Sequence, residues 1–176
     1  LSGLVGVQTL SVTASGSFIT SAAGTGKAVT VTYTLADGTG LASNYTLAGQ
    51  TLTGAISPLT ITYGFTAANK TYDGTTAATV SGSLTGVLGS DVVAIAASSA
   101  AFANKNVGNG KSVTISGIAL SGADAGNYQI ASTTTTATAN IVTKNITSSW
   151  TAADKTYDAT RTASVTGSLS GVLAGD

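Results

Sequence analysis

The chain lacks cysteine, histidine and methionine, and its seven acids are all aspartates because glutamate is also absent. Without these side chains it cannot build a Ser-His-Asp or Cys-His nucleophile, a disulfide, or a zinc site of the usual ligands. Its seven basic residues are scattered singly, so no basic patch faces a nucleic acid. The longest apolar run, 92–103, includes two serines and is shorter than the ~20 residues of a membrane helix. We therefore expect no enzymatic activity, no cofactor, no nucleic-acid partner and no membrane insertion.

Small and β-branched residues dominate the composition of the chain. Of the 176 residues 22 are glycine, 43% are hydrophobic, and the net charge is zero. A neutral chain of this hydrophobicity can collapse around a core, so disorder is not expected. Frequent glycine disfavours long helices, and threonine and valine favour strands. This composition predicts an all-β protein.

A long internal repeat organises the sequence. The segment Phe65–Gly74 returns as Trp150–Ala159, and the pair Asn44-Tyr45 returns as Asn127-Tyr128. These offsets define a unit of about 83 to 85 residues, which suits a small β domain repeated in tandem. We expect a piece of a longer array with three segments: the C-terminal part of a first repeat (1–60), a complete second repeat (61–145), and the N-terminal part of a third (146–176).

Three co-spaced motifs carry a family resemblance. Lys-Thr-Tyr-Asp-Gly at 70–74, Gly-Asn-Gly-Lys-Ser-Val-Thr-Ile at 108–115 and Leu-Ser-Gly-Ala-Asp-Ala-Gly-Asn-Tyr at 120–128 resemble the YDG repeat, one of the "mostly beta, glycine-rich" modules. The resemblance implies a secreted, extracellular repeat of a large bacterial surface adhesin of the filamentous-haemagglutinin type. It implies no active site. Two positions depart from the motif: Ala159 replaces its glycine, and Ser43 stands where Gly126 precedes the Asn-Tyr pair.

Apolar alternation bounded by turn residues predicts the strands. Each unit is large enough for a two-layer sandwich of immunoglobulin-like topology; the alternative is a β-grasp-like sheet with one short helix, because the alanine-rich stretch 97–104 is ambiguous. No Gly/Ser linker separates the units, so we expect an elongated, stiff rod. The predicted strands are 9–14, 28–33, 55–63, 77–80, 92–97, 112–116, 128–131 and 136–142.

The residues of the repeated motifs are interpreted as structural, with the tyrosines as core anchors and the aspartates capping turns. Because Ala159 replaces Gly74, we expect that this turn position does not require positive φ. The alternative is a ligand contact, with an aromatic ring and a carboxylate suited to a sugar. The motif residues are Tyr72, Asp73, Gly74, Asn127, Tyr128, Tyr157 and Asp158.

Metal and covalent cross-links are weaker alternatives. A module without metal is favoured, and the calcium alternative is a site assembled across loops from Asp73, Asp91 and Asp124, since Ca²⁺ needs several oxygen ligands. Lys70 and Lys155 are interpreted as exposed turn residues. The alternative for these two lysines is an isopeptide bond to an asparagine.

Together these observations predict a structural stalk or spacer that projects a distal binding region from the cell surface. Its partners are then neighbouring repeats of the same protein. One alternative is a direct adhesive module that binds host glycan or protein through the loops at 72–74 and 123–128. Another is a filament segment assembled by head-to-tail strand pairing, because 1–60 and 146–176 are complementary parts of one repeat.

Overall fold

The structure, a computed structural model, describes residues 1–175. Within that range the chain forms strands and two three-residue 3-10 helices, and no α-helix is present. The all-β prediction is confirmed. Asp176, the last residue of the predicted third segment, lies outside the described residues. The strands are β1 Leu10–Phe18, β2 Gly24–Asp37, β3 Gln50–Ile56, β4 Leu59–Thr60, β5 Thr62–Ala67, β6 Lys70–Thr71, β7 Val80–Thr85, β8 Ala94–Phe102, β9 Gly108–Ser121, β10 Tyr128–Gln129, β11 Thr134–Val142, β12 Thr147–Ala152 and β13 Val165–Ser170, and the 3-10 helices are Ala42–Asn44 and Ala125–Asn127.

Contacts divide the chain into two compact units, and neither is a continuous stretch of sequence. The first unit adds two segments of the second repeat to residues 1–61. The ranges are 1–61, 87–93 and 122–130 for the first unit, and 62–86, 94–121 and 131–175 for the second.

The main sheet of the first unit has the antiparallel order β1-β2-β3. Across it, Phe18 lies opposite Val29, and Val29 lies opposite Leu52, so these three side chains form one row on one face. Strands β4 and β10 pair in parallel over two residues. Val31 and Ile61 are buried in this unit.

The second unit is built on a four-stranded sheet of order β6-β11-β9-β8. Strand β6 is parallel to β11, and the remaining pairs are antiparallel. Strand β9 lies inside the sheet and supplies three of its six buried apolar residues, which explains its alternation of valine and isoleucine with polar residues. The buried apolar residues of this sheet are Phe102, Val113, Ile115, Ile118, Ala139 and Ile141.

The β5–β7 hairpin packs on this sheet through contacts with β8 and β11. Gly82 marks the closest approach: a Cβ at this position would lie 2.8 Å from Ile95 Cγ2 and 2.9 Å from Phe65 Cε1. Phe65 also packs edge-on against Tyr63, with the ring centroids 5.9 Å apart. The apolar face of the hairpin is therefore covered by the neighbouring sheet.

The β12–β13 hairpin has the same design as the β5–β7 hairpin. Strands β12 and β13 begin at the third-repeat positions that correspond to the first residues of β5 and β7. Likewise, β8 and β9 begin at the positions equivalent to the first residues of β1 and β2. Trp150 lies opposite Gly167, as Phe65 lies opposite Gly82. These four strands thus recur with the sequence repeat.

Two strand predictions were wrong in detail. The stretch 55–63 is not one strand: β3 ends at Ile56 and β5 begins at Thr62, with the short β4 between them. Pro58 lies at this break because it has no N–H to donate to a ladder. In the stretch 77–80, Ala77 makes an isolated bridge and β7 begins at Val80. The alanine-rich stretch after 97 is strand as far as Phe102.

Candidate functional site

Two side-chain arrangements recur with the repeat, and they contain most of the motif residues. The first, here called the lysine turn, is formed by 70–77. Lys70 Nζ donates to Asp73 Oδ1 at 2.8 Å, to the Thr75 carbonyl at 2.9 Å and to the Ala77 carbonyl at 2.9 Å. Asp73 Oδ1 also accepts from the Thr75 backbone N–H at 2.9 Å. The ammonium and the carboxylate therefore close one tight turn.

The third repeat forms the same lysine turn. Lys155 Nζ donates to Asp158 Oδ1 at 2.8 Å and to the Thr160 carbonyl at 2.9 Å, and Asp158 Oδ1 accepts from the Thr160 N–H at 3.0 Å. The lysines differ in exposure, however: the Lys70 side chain is 17% exposed and that of Lys155 is 38% exposed. Lys70 also lies over the Phe102 ring, 5.6 Å from its centroid. The expectation of an exposed lysine therefore fits Lys155 and is wrong for Lys70.

The glycine position of the motif requires positive φ, contrary to our expectation. Gly74 has φ of 75° and Ala159 has φ of 58°. The inference from Ala159 failed because one alanine can occupy the left-handed region at a cost of only about 1–2 kcal/mol. The turn geometry is therefore kept in both copies, and Ala159 is strained in one of them.

The tyrosines of the two lysine turns, Tyr72 and Tyr157, lie in different surroundings. Tyr72 is half-buried, its N–H donates to the Val142 carbonyl at 2.8 Å, and its ring borders an apolar cleft of about 290 Å³ that also includes Val107 and Leu173. Tyr157, in contrast, is 91% exposed. Of these two tyrosines, Tyr72 has the covered surroundings of an anchor and Tyr157 does not.

The second arrangement, here called the tyrosine clasp, joins the Asn-Tyr pair to the glycine-rich loop that precedes it in the same repeat. Tyr128 is buried, and its hydroxyl donates to Asp91 Oδ2 at 2.5 Å and accepts from the Leu88 N–H at 3.0 Å. In the first repeat, the Tyr45 hydroxyl donates to Gln8 Oε1 and accepts from the Val5 N–H. The clasp is thus formed by a carboxylate in one repeat and by a neutral amide in the other.

The residues beside Tyr128 also form internal hydrogen bonds. Asn127 Oδ1 accepts from the Ala23 N–H at 2.8 Å, and Asp124 Oδ2 accepts from the Val92 N–H at 2.8 Å. Together with Asp91 and Tyr128 they line a cleft of about 510 Å³ in the first unit. Their polar atoms hold the loops of this unit in place.

The three aspartates of the calcium alternative have separate roles. Asp91 and Asp124 belong to the first unit, and Asp73 belongs to the second. Each accepts hydrogen bonds from its own surroundings. Among residues 1–175, no group of three or more acidic, histidine or cysteine side chains is placed to hold a metal ion.

These contacts shift three pKa values. The hydrogen bond from Lys70, followed by those from Thr75, lowers the pKa of Asp73 to about 2. The bond from Lys155 likewise lowers the pKa of Asp158. The Asp91 carboxylate accepts a hydrogen bond from the Tyr128 hydroxyl, and this bond raises the pKa of Tyr128. All three groups are stabilised in the form that they hold at neutral pH.

Sequence reasoning missed the partners in both arrangements. Tyr45, Gln8 and Thr75 were not selected, although the repeat contained a signal for each of them. Gln8 and Asp91 occupy equivalent positions in successive repeats, as the two tyrosines do, and a threonine stands at the second position after both Asp73 and Asp158. Comparing the polar residues at equivalent positions would have paired them.

The part of the chain described by the structure contains no helix with the length and apolarity that a membrane span requires. Neither the curated proteins nor the solved structures include a significant match to the chain. Among protein families, the YDG domain matches residues 56–137, a range that includes one lysine turn and the Asn-Tyr pair of one tyrosine clasp. Residues 56–137 of this chain are therefore a YDG domain.

Proposed function

We propose that the chain is part of the stalk of a large bacterial cell-surface adhesin, of the filamentous-haemagglutinin-like type that carries "mostly beta, glycine-rich" repeats. In this proposal the repeats are small immunoglobulin-like sandwiches in tandem that form an elongated rod and project a distal binding region into the extracellular space. No residue has a catalytic role, and the partners are neighbouring repeats.

The length of the junction between repeats carries this proposal. Strand β11 ends at Val142 and β12 begins at Thr147, so four residues join one repeat to the next. At the preceding junction, β3 ends at Ile56 and β5 begins at Thr62, with β4 and Pro58 between them. Segments this short and β-branched leave little slack for a hinge, which suits a spacer that must hold a distal region away from the cell.

The motif residues support the spacer over the adhesive module. The polar atoms of Asp73, Asn127 and Tyr128 form hydrogen bonds within the chain, as Asp158 does in the third repeat. A glycan-binding site would instead present such groups to the ligand. A glycan array tests this directly: we expect no reproducible hits, and hits abolished by Tyr72→Ala in a folded protein would favour direct adhesion.

Small-angle X-ray scattering tests the spacer itself. After extrapolation to zero concentration, we expect the scattering profile of an extended particle. We expect calcium to leave this profile unchanged. Inserting Gly-Gly-Ser between Lys144 and Asn145 should broaden the distance distribution, while the same insertion after Gly38, in a turn within one repeat, serves as the control. If the junction insertion leaves the distribution unchanged, the junction is already a free hinge and the stiff stalk is refuted.

A further inference from the structure

Two pairs of strands run parallel, whereas the other ladders among residues 1–175 are antiparallel. Strand β4 pairs with β10, with Leu59 opposite Tyr128, and β6 pairs with β11, with Lys70 opposite Ile141. In each pair, the earlier strand lies near the beginning of the second repeat and the later strand lies near its end. The parallel pairs therefore connect the segment where the chain enters this repeat with the segment where it leaves.

The pair β4–β10, in the first unit, has more bonds than its two residue pairs supply. The Ile61 N–H donates to the Gln129 carbonyl at 3.0 Å and continues the contact beyond the end of β4. Gln129 Nε2 also donates to Thr60 Oγ1 at 2.9 Å. Ile61 and Tyr128 are both buried, so apolar packing accompanies these hydrogen bonds.

The pair β6–β11, in the second unit, is extended beyond both ends of β6. Before β6, Asn69 Oδ1 takes the place of a backbone carbonyl and accepts from the Asn140 N–H at 2.7 Å. After β6, the Tyr72 N–H donates to the Val142 carbonyl at 2.8 Å. The lysine turn begins in the same strand and ties it to residues 73–77. A strand of two residues is therefore held by contacts along a longer stretch of chain.

The parallel direction of these pairs determines how they respond to tension along the chain. Tension pulls the earlier strand of each pair toward its N-terminus and the later strand toward its C-terminus. In a parallel pair the two pulls act in opposite directions along the strands, so the bonds between them are loaded together and must break together. In an antiparallel hairpin pulled at its open end, the bonds break one after another.

We propose that the second repeat bears tension along the chain, and that the pairs β4–β10 and β6–β11 are the mechanical clamps that keep it folded under load. Strand β4 is the first of the four reached from the N-terminal side, and β11 is the last strand before the next junction. A pull from either side therefore acts directly on one strand of a clamp. Asn69 and Gln129 are positioning residues, because each adds a side-chain bond to a ladder of two residue pairs.

Resistance to tension is a different property from the stiffness of the stalk proposal, and this inference does not rest on that proposal. Stiffness concerns bending at the junctions, whereas the clamps act when the two ends of a repeat are pulled apart. A repeat that opens at low force would leave an extended scattering profile unexplained by nothing but the junctions, so the stalk proposal would stand. A flexible junction would equally leave the clamps in place.

Single-molecule force spectroscopy of the 176-residue chain tests the clamps, and the absence of cysteine lets tethers be attached at chosen positions. One variant carries Ser57→Cys and Lys144→Cys, at two exposed positions that enclose both clamps. A second variant carries Ala94→Cys and Ala119→Cys, near the open end of the antiparallel β8–β9 hairpin. At the same loading rate, we expect the first variant to open at a clearly higher force than the second.

Asn69→Ala distinguishes a clamp from general stability. With the tethers at 57 and 144, we expect the unfolding rate at constant force to rise about fivefold, the effect of one lost hydrogen bond on the unfolding barrier. With the tethers at 94 and 119, we expect this rate to be unchanged, because the Asn69 bond lies outside that hairpin. Asn106→Ala, in the exposed loop between β8 and β9, is the matched control and should change neither rate.

Three results would overturn the proposal. The first is an opening force at 57 and 144 that is no higher than the force at 94 and 119. The second is an equal rise of both unfolding rates in Asn69→Ala, and the third is a response of this variant like that of Asn106→Ala. Circular dichroism checks that each variant folds, and Gln129→Ala supplies the same test on the other clamp if Asn69→Ala does not fold.

Discussion

The positive φ at the turn of the lysine motif predicts opposite effects for two reciprocal substitutions. Gly74→Ala places a Cβ on a residue at φ of 75°, and Ala159→Gly removes one at φ of 58°. At Gly74 the new Cβ would lie 3.4 Å from Leu173 Cδ1, a contact that needs at most a small adjustment. The effect of Gly74→Ala therefore comes from the backbone conformation and not from a clash.

The magnitude follows from two opposing contributions. The left-handed conformation costs an L-residue roughly 1–2 kcal/mol. Alanine also restricts the unfolded chain, which offsets about 0.4–1 kcal/mol of that cost. We therefore expect Gly74→Ala to lower the free energy of unfolding by about 1 kcal/mol, and Ala159→Gly to stabilise the third-repeat segment by about the same amount.

Urea unfolding measures both effects. Circular dichroism follows the whole chain for Gly74→Ala, and the fluorescence of Trp150, the single tryptophan, follows the β12–β13 hairpin for Ala159→Gly. In thermal melts, about 1 kcal/mol corresponds to a shift of about 4–8 °C for a unit of roughly 100 residues, the size of the second unit. Gly64→Ala is the control, because its φ is not positive and its Cβ would make an ordinary 3.5 Å contact. Equal effects of Gly74→Ala and Gly64→Ala, or a destabilised Ala159→Gly, would refute the argument.

Three further predictions concern pH and calcium. The folded pKa of Asp73 is about 2, below its usual 3.8. Its contribution to stability is therefore present above pH 3.8 and is lost as the pH falls through 2. In urea titrations at a series of pH values, Asp73→Asn should reduce this loss of unfolding free energy on acidification. The pKa of Tyr128 is raised, so its contribution is complete below pH 10 and is lost as the pH rises through the folded pKa. Tyr128→Phe should therefore remove this alkaline loss of stability in urea titrations at high pH. Calcium at millimolar concentration should leave the melting temperature unchanged, and a rise abolished by Asp91→Asn would contradict our assignment of that carboxylate to the tyrosine clasp.

Much of the architecture was accessible from the sequence because it is periodic. The repeat and the β-branched alternation predicted the strand class and the centres of some strands, including β1, β2, β9 and β11. The β12–β13 hairpin was not predicted, although the repetition of Phe65 and Val80 as Trp150 and Val165 was already apparent. Pro58 was also visible, yet its missing N–H was not used to divide the stretch 55–63.

The candidate site was less accessible for two physical reasons. The tyrosine clasp pairs Tyr128 with a residue 37 positions earlier, and no local pattern encodes a contact of that separation. The prediction for the turn at Ala159 was wrong for a different reason, since a strain of about 1–2 kcal/mol is small enough for an unsuitable residue to be tolerated. A single substitution in one repeat is therefore weak evidence about backbone conformation.

The lysine turn has a consequence for how such a chain folds. Its hydrogen bonds connect Lys70 to oxygens at most seven residues away, so they close only short loops. Contacts of this kind form early, whereas the strand pairs between β9 and β11 must wait for longer loops to close. Where similar repeats follow one another, a strand can mispair with its counterpart in the next repeat. A lysine turn that closes before the sheets assemble gives the strands on either side of it a local starting point, and we expect it to reduce such errors.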